Sequence, residues 1–312
     1  MYRNPTQRAV RTGTLFCLLA ALLLAGCKKD SLDVTGIPQT TADPQRSAGK
    51  PGNPVIPGIN RPLGTWWWSV NKKDWNTYLN FAQQNGVTEI YFSTVDFSET
   101  TGGFIEKAAS KGIRVYLLAG SYVWISDRSG FITLMDKYTQ YQNTASGTRR
   151  FAGIHLDVEP HQDPTFSTRR AIIMQQYIDF VSWVTSQYTT AGNIDFDIPF
   201  WLDDVVSYKG ENRLLYEAVI SEATRVFIMS YRDTAAKMYD VSKEELTFAA
   251  LLNKQIFLGA ETAPSKEGNA VTYAEEGKTY MYNELRKLST LCGNVDYGVS
   301  IHHISTWYSL KN

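Results

Sequence analysis

From about residue 62 onward the chain alternates short apolar runs with longer stretches of helical spacing, and that alternation predicts its elements. Strands are expected over residues 65–70, 88–93, 114–119, 153–158, 194–200, 225–230, 255–259 and 299–305. Most are unbroken runs of β-branched, aromatic and aliphatic residues, the pattern of strands covered on both faces. Between them, apolar residues recur at helical spacing in Trp75, Tyr78, Leu79 and Ala82, and again in Phe131, Leu134, Met135 and Tyr138. The fullest stripe is Ile172, Ile173, Tyr177, Phe180, Val181 and Val184, one helix face able to cover a sheet. Further helices are expected over 104–110, 212–221, 242–253 and 280–288, and Gly86 and Gly112 stand where helices stop before strands.

Eight strands with seven intervening helices make an α/β protein, a (β/α)8 TIM barrel whose last helix is missing or reduced. An open doubly wound sheet competes, but no Gly-rich phosphate loop follows the first strand. Even strand spacing and a length near the usual barrel size favour closure, with one domain over 62–312.

Ahead of that domain the pattern changes. Arg3, Arg8 and Arg11 precede an apolar run from Leu15 to Leu24, which ends in Leu24-Ala25-Gly26-Cys27. This order is that of an export signal over 1–26, too short to span a bilayer. Its ending resembles the lipobox of bacterial lipoproteins, which implies that Cys27 is acylated and holds the protein to the lipid bilayer of the cell envelope. Lys28 follows where an Asp would point to inner-membrane retention, so the resemblance implies the outer membrane. Residues 27–61 are polar and broken by Pro38, Pro44, Pro51, Pro54 and Pro57, which reads as a disordered tether.

Composition narrows the function classes. The chain has 312 residues, with 31 basic and 31 acidic groups, and loss of the three signal arginines would leave a net charge of −3. That balance offers nothing to a polyanion, so no nucleic-acid partner is expected. Cys17, Cys27 and Cys292 cannot build a disulfide framework. Eight Trp and eighteen Tyr exceed the needs of a core and suggest rings on a binding surface.

In a barrel the chemistry belongs at the C-terminal strand ends. The fourth strand runs Phe151-Ala152-Gly153-Ile154-His155-Leu156-Asp157-Val158-Glu159. A period of two puts His155, Asp157 and Glu159 on one face and apolar residues on the other, so the ionisable set points into the barrel. Such groups are costly there unless paired or functional. On the fifth strand Asp195 and Asp197 share a phase, either inward or in a lower ion pair, with Trp201 and Asp203 nearer the rim.

The fourth-strand run resembles the signature of chitinase-like glycoside hydrolases (family 18). The resemblance implies that Glu159 is the proton donor and Asp157 the residue that steers an acetamido group. The sequence departs from that pattern at Ala152, at His155 and at Val158. Met229-Ser230-Tyr231-Arg232 is similar to the end of the sixth strand in that family, implying that the Tyr231 hydroxyl supports the reacting group; Arg232 takes the place of an acid or amide. Trp307 would correspond to the aromatic floor under the sugar. Glu261, at the end of the seventh strand, opens another scheme, since paired glutamates on strands four and seven resemble the large clan of retaining glycosidases. Glu159 is the acid in either.

Flat sugar faces call for rings, and Trp66, Trp68, Trp201 and Trp307 lie near strand ends, with His155, Asp203 and His302 as polar partners. Alternation within Trp66-Trp67-Trp68 sends one ring away from the other two. His302 and His303 face opposite sides of their strand, and His302 is the cleft candidate. A metal is not expected, because alternate residues of an extended strand spread too far for His155, Asp157, Glu159 and His161 to converge. No nucleophile elbow or cofactor loop is present. The expected activity is glycan cleavage by carboxylate acid/base chemistry without a cofactor; the alternative is a noncatalytic glycan-binding surface lipoprotein.

Overall fold

A computed structural model describes residues 59–68 and 71–312. The expected signal peptide, the acylated Cys27 and nearly all of the tether lie outside the described residues. At the boundary, Ile59 is already buried in the core and Arg61 lies over the Tyr297 ring, so the folded domain begins a few residues before 62.

The chain forms β1 (Leu63–Trp67), α1 (Trp75–Gln84), β2 (Glu89–Ser93), α2 (Glu99–Ala109), β3 (Arg114–Ala119), α3 (Ser129–Thr144), β4 (Gly153–Leu156), α4 (Phe166–Gln187) and β5 (Asn193–Pro199). It continues through β6 (Val205–Tyr208), β7 (Glu211–Leu214), α5 (Leu215–Glu222), β8 (Arg225–Met229), α6 (Ala235–Leu251), β9 (Ile256–Glu261), α7 (Lys278–Cys292), β10 (Tyr297–His302) and α8 (Ile304–Ser309). Eight of these strands pair in parallel and close on themselves in the order β1-β2-β3-β4-β5-β8-β9-β10. The fold is the expected (β/α)8 barrel, and α8 is the reduced last helix.

Between β5 and α5 the structure inserts an antiparallel hairpin, β6–β7, where the sequence pattern predicts the start of a helix at 212. Lys209 and Gly210 both have positive φ, 51° and 84°, as a two-residue hairpin turn requires. Helix α5 starts only at Leu215, because Asn212–Leu214 are spent on the ladder.

Two apolar layers hold the barrel. Outward residues such as Trp67, Ile90, Leu156 and Ile198 meet the helices, and Trp67 packs edge-on to Phe104 at 5.0 Å. Inside, Trp66, Tyr91, Tyr116, Phe227 and Phe257 form a separate aromatic plug. Glycine makes the plug possible: a Cβ on Gly64 would fall 2.0 Å from the Tyr91 hydroxyl, and one on Gly298 would strike the Phe257 ring. Beneath the plug Arg225 binds Asp195 and Glu89. The plug seals the lower half of the barrel and leaves its chemistry to the C-terminal mouth.

Candidate active site

Strand β4 and the residues that continue it carry the site. His155 lies inside the barrel, fully buried and stacked on Tyr91 at 4.0 Å. Its Nε2 meets Asp197 Oδ2 at 2.8 Å, and Trp66 Nε1 donates to the same oxygen at 3.0 Å. His155 pairs with Asp195 and Leu156 with Phe196, so one step further Asp157 comes beside Asp197 on the same inner face. Gly120 allows this turn of chain, because any Cβ there would overlap the Asp157 carbonyl oxygen at 1.7 Å.

Asp157 and Glu159 both reach the partly exposed mouth, the Glu159 side chain keeping 20% of its surface. Gln162 Nε2 donates to Glu159 Oε2, and His161 Nε2 stands 3.8 Å from Oε1. Among the described residues no Lys or Arg pairs with this carboxyl. Burial, then the charges of Asp157 and Asp197, push the Glu159 carboxyl up to about 9. Burial and Asp197 push Asp157 up to about 7, and burial pushes Asp197 to about 8. The cluster therefore keeps most of its protons at neutral pH, and Glu159 is an acid with a proton to give. Burial pulls His155 and His161 down to about 4, which leaves both neutral.

Tyr231 closes the other side. Its ring leans on His302, centroids 5.9 Å apart, and packs above Gly259, where a Cβ would sit 3.0 Å from the ring. Burial raises its hydroxyl well above the ordinary phenol value, reinforced by Glu261, Asp197, Asp157 and Glu159, so it remains a neutral donor. His302 Nδ1 meets Glu261 Oε2 at 2.8 Å, and Trp68 Nε1 donates to His302 Nε2 at 3.1 Å, which places the imidazole proton on Nδ1. Burial works to lower the His302 pKa, but Glu261, with Asp157 and Asp197 behind it, outweighs burial and the net shift is upward.

The structure thus brings Asp157, Glu159, Tyr231, His302 and Trp68 to one mouth, and it revises the setting of several other expected site residues. Glu261 is held, not free: its Oε1 accepts from the backbone of Thr262 at 2.7 Å and Ala263 at 2.6 Å, while its other oxygen serves His302. Trp66 is part of the buried plug and shows no face for a ligand, since Asp197 claims its indole N–H. His155 likewise lies beneath the mouth without solvent access and supports the layer above it. Trp307 is fully buried on the outer side of the barrel, 5.0 Å from Phe81, with its Nε1 donating to the Tyr282 hydroxyl; it anchors α8 and floors no ligand site. The reason is geometric, since Trp307 lies in the helix after β10, which faces α1 and not the mouth.

Trp201 sits at the rim, partly exposed, 5.3 Å from His161 and 5.3 Å from the Arg170 guanidinium. Asp203 is exposed beside Asp204, and Asp204 holds Arg170 at 2.7 Å. Two residues join the site that the fourth-strand pattern alone does not supply. Asp197 was readable in its strand phase, shared with Asp195, and His161 adjoins Glu159 only because Pro160 opens a 3-10 turn. Among the described residues no three His, Cys, Asp or Glu side chains are grouped to hold a metal. Two grooves, about 280 Å³ around Arg61 and Arg286 and about 370 Å³ beside Trp75 and Lys107, lie away from the mouth.

No family model matches the sequence, and a search of curated proteins finds no match. Solved structures do match. The chitinase RmChi1 of Rhizomucor miehei aligns with a TM-score of 0.51 at 12% identity, over 79% of this chain and 95% of that one. A family 18 chitinase of Cycas revoluta, solved with (GlcNAc)4, gives 0.51 at 10% identity over 78% and 95%. An endo-beta-N-acetylglucosaminidase of Cordyceps militaris gives 0.46 at 11% identity over 79% and 82%. At such identities the likeness is one of architecture: this chain has a barrel fold like that of the two chitinases.

Proposed function

We propose that this protein is a glycoside hydrolase acting on an N-acetylated glycan outside the cytoplasm. The observation that carries the reading is Glu159, a carboxyl pushed up to about 9 at an accessible barrel mouth, two residues from Asp157 and across from Tyr231. A protonated carboxylic acid is what the leaving glycosidic oxygen needs. In this reading Glu159 protonates that oxygen. Asp157, whose carboxyl has no hydrogen-bond partner among the described residues, orients the substrate acetamido group so that its carbonyl oxygen attacks the sugar carbon. The Tyr231 hydroxyl donates to that acetamido group. Water then opens the resulting ring intermediate, with Glu159, now a carboxylate, taking its proton. Glu261 supports the scheme by holding His302 and supplies no nucleophile, because both of its oxygens are committed.

The test is product analysis on chito-oligosaccharides and peptidoglycan fragments with the natural chain and with Glu159→Gln. Loss of a general acid costs about 10²–10⁴-fold in rate. A Glu159→Gln protein that turns over as fast as the natural chain would remove the proposal. A second reading, a noncatalytic glycan binder, draws on His155, Val158 and Arg232, where the sequence departs from the family 18 pattern. It requires glycan binding without turnover in the natural chain across the same panel. The proposal includes acylation at Cys27 and an outer-membrane location; labelled fatty acid should enter the full-length chain in bacteria and be lost in Cys27→Ser.

A further inference from the structure

Arg232 stands three residues beyond the end of β8, half-buried, with its guanidinium 4.6 Å above the ring of Phe200. Phe200 follows β5, and β5 and β8 are hydrogen-bonded neighbours with Pro199 opposite Met229. Arg232 is therefore on the barrel mouth, next in sequence to Tyr231. Its Nη1 donates to the Tyr231 carbonyl at 2.7 Å, and among the described residues it makes no other hydrogen bond and no ion pair. The carboxylates whose charge reaches it are Glu267, which is exposed, and Asp233, which Lys237 holds at 3.1 Å. Two other arginines of the barrel are matched by acids, Arg170 by Asp204 and Arg225 by Asp195 and Glu89.

An arginine stays charged even when partly desolvated, and a half-buried cation without a counter-charge is costly. Most of its five N–H donors are uncommitted in a fork that matches a planar anion. We infer that Arg232 reads an anionic substituent, a carboxylate or a sulfate, on the sugar bound beside Tyr231. The inference rests on the glycan reading proposed above and names its substrate class. Of the acids at the mouth, Glu159 at about 9 and Asp197 at about 8 keep their protons at neutral pH, and Asp157 at about 7 is half-ionised.

The experiment is calorimetric titration of the Glu159→Gln protein, in which ligand is not consumed, with three matched tetrasaccharides. These are neutral chitotetraose, its counterpart containing muramic acid with a lactyl carboxylate, and 6-O-sulfated chitotetraose. At least one charged ligand should bind about tenfold or more tighter than chitotetraose, the scale of a charge-assisted hydrogen-bond pair. Which of the two does so separates carboxylate from sulfate. Adding Arg232→Gln should bring that ratio to about one, and Arg232→Lys should retain part of it. A ratio of one with Arg232 intact, or a ratio that survives Arg232→Gln, overturns the inference. If chitotetraose binds and the ratio is one, the glycan reading stands without it; if none of the three binds, both fall.

Discussion

Asp195 and Asp197 are two residues apart on the inward face of one strand, yet they belong to different chemistries. At the lower end Arg225 meets Asp195 with two nitrogens, Nη2 at 2.5 Å and Nε at 3.1 Å, and turns its Nη1 to Glu89 at 2.8 Å. Arg114 also contacts Glu89 from the rim of the barrel. Burial pushes Asp195 up, and the guanidinium opposes that push. One layer higher Asp197 is met by an indole N–H and an imidazole, neither of them a cation, and its Oδ1 is buried without a partner. The same residue type is a scaffold where a guanidinium has been supplied and a proton store where none has. A buried acid signals chemistry only when its counter-charge is missing.

That contrast can be broken first at its lower end. Arg225→Met should strand the charge of Asp195, leave Glu89 to Arg114 alone, and cost about 3–5 kcal/mol, the usual penalty for halving a buried ion pair, read as a lower urea midpoint. Lower-end damage of this size should leave the order of glycan preferences unchanged in whatever fraction remains folded.

At the upper end pH does the breaking. Asp157, Asp197 and Glu159 have folded values of about 7, 8 and 9, all above their ordinary ones, so each contributes stability at low pH that is lost as pH rises through its folded value. His155, His161 and His303, pulled down to about 4, act oppositely, but only below their ordinary value near 6.5. Between pH 6.5 and 9 the three acids dominate the slope, and His302 adds in the same direction. The unfolding free energy should therefore fall across that window by about 1.4 kcal/mol per pH unit for each proton retained only in the folded state, read as a falling thermal midpoint. A flat or rising profile would mean the cluster is ionised.

Asp197→Asn sharpens the comparison further. Asp197, at about 8, is ionised when Glu159 titrates and mostly protonated when Asp157 does, so the alkaline limb of a kcat/KM profile should move to lower pH, by about 1 unit, and the acid limb should move less. Conversion of Asp195 to Asn should move neither limb. Glu261→Gln should cost less than about 100-fold in rate, below the contribution of a general acid. A larger loss, with a trapped glycosyl adduct on the natural chain, would restore Glu261 as a nucleophile.

Much of this was readable in the chain. The run Arg114–Ala119 is a strand over the same residues in sequence pattern and structure, and the inward phase of His155, Asp157 and Glu159 follows from alternation alone. The hairpin was not read, because Asn212–Leu214 lead directly into an apolar helix and look like its first turn; the Lys209-Gly210 pair was the available signal. The aromatic residues were harder. Trp66, Trp68 and Trp307 all lie near strand ends in sequence, yet Trp66 is plugged against Tyr91 and Phe227, Trp307 faces α1, and only Trp68 reaches the mouth.

The sequence by itself determined the barrel and the inward face of the fourth strand, since both follow from local period and short connections. The tertiary structure decided which acids are charged and which rings can be touched. The Arg225–Glu89 pair joins residues 136 apart and the Trp66–Asp197 bond residues 131 apart, across a closed sheet. Proton affinity and exposure are set by neighbours at a few ångströms, and in a barrel those neighbours come from strands that no local pattern connects.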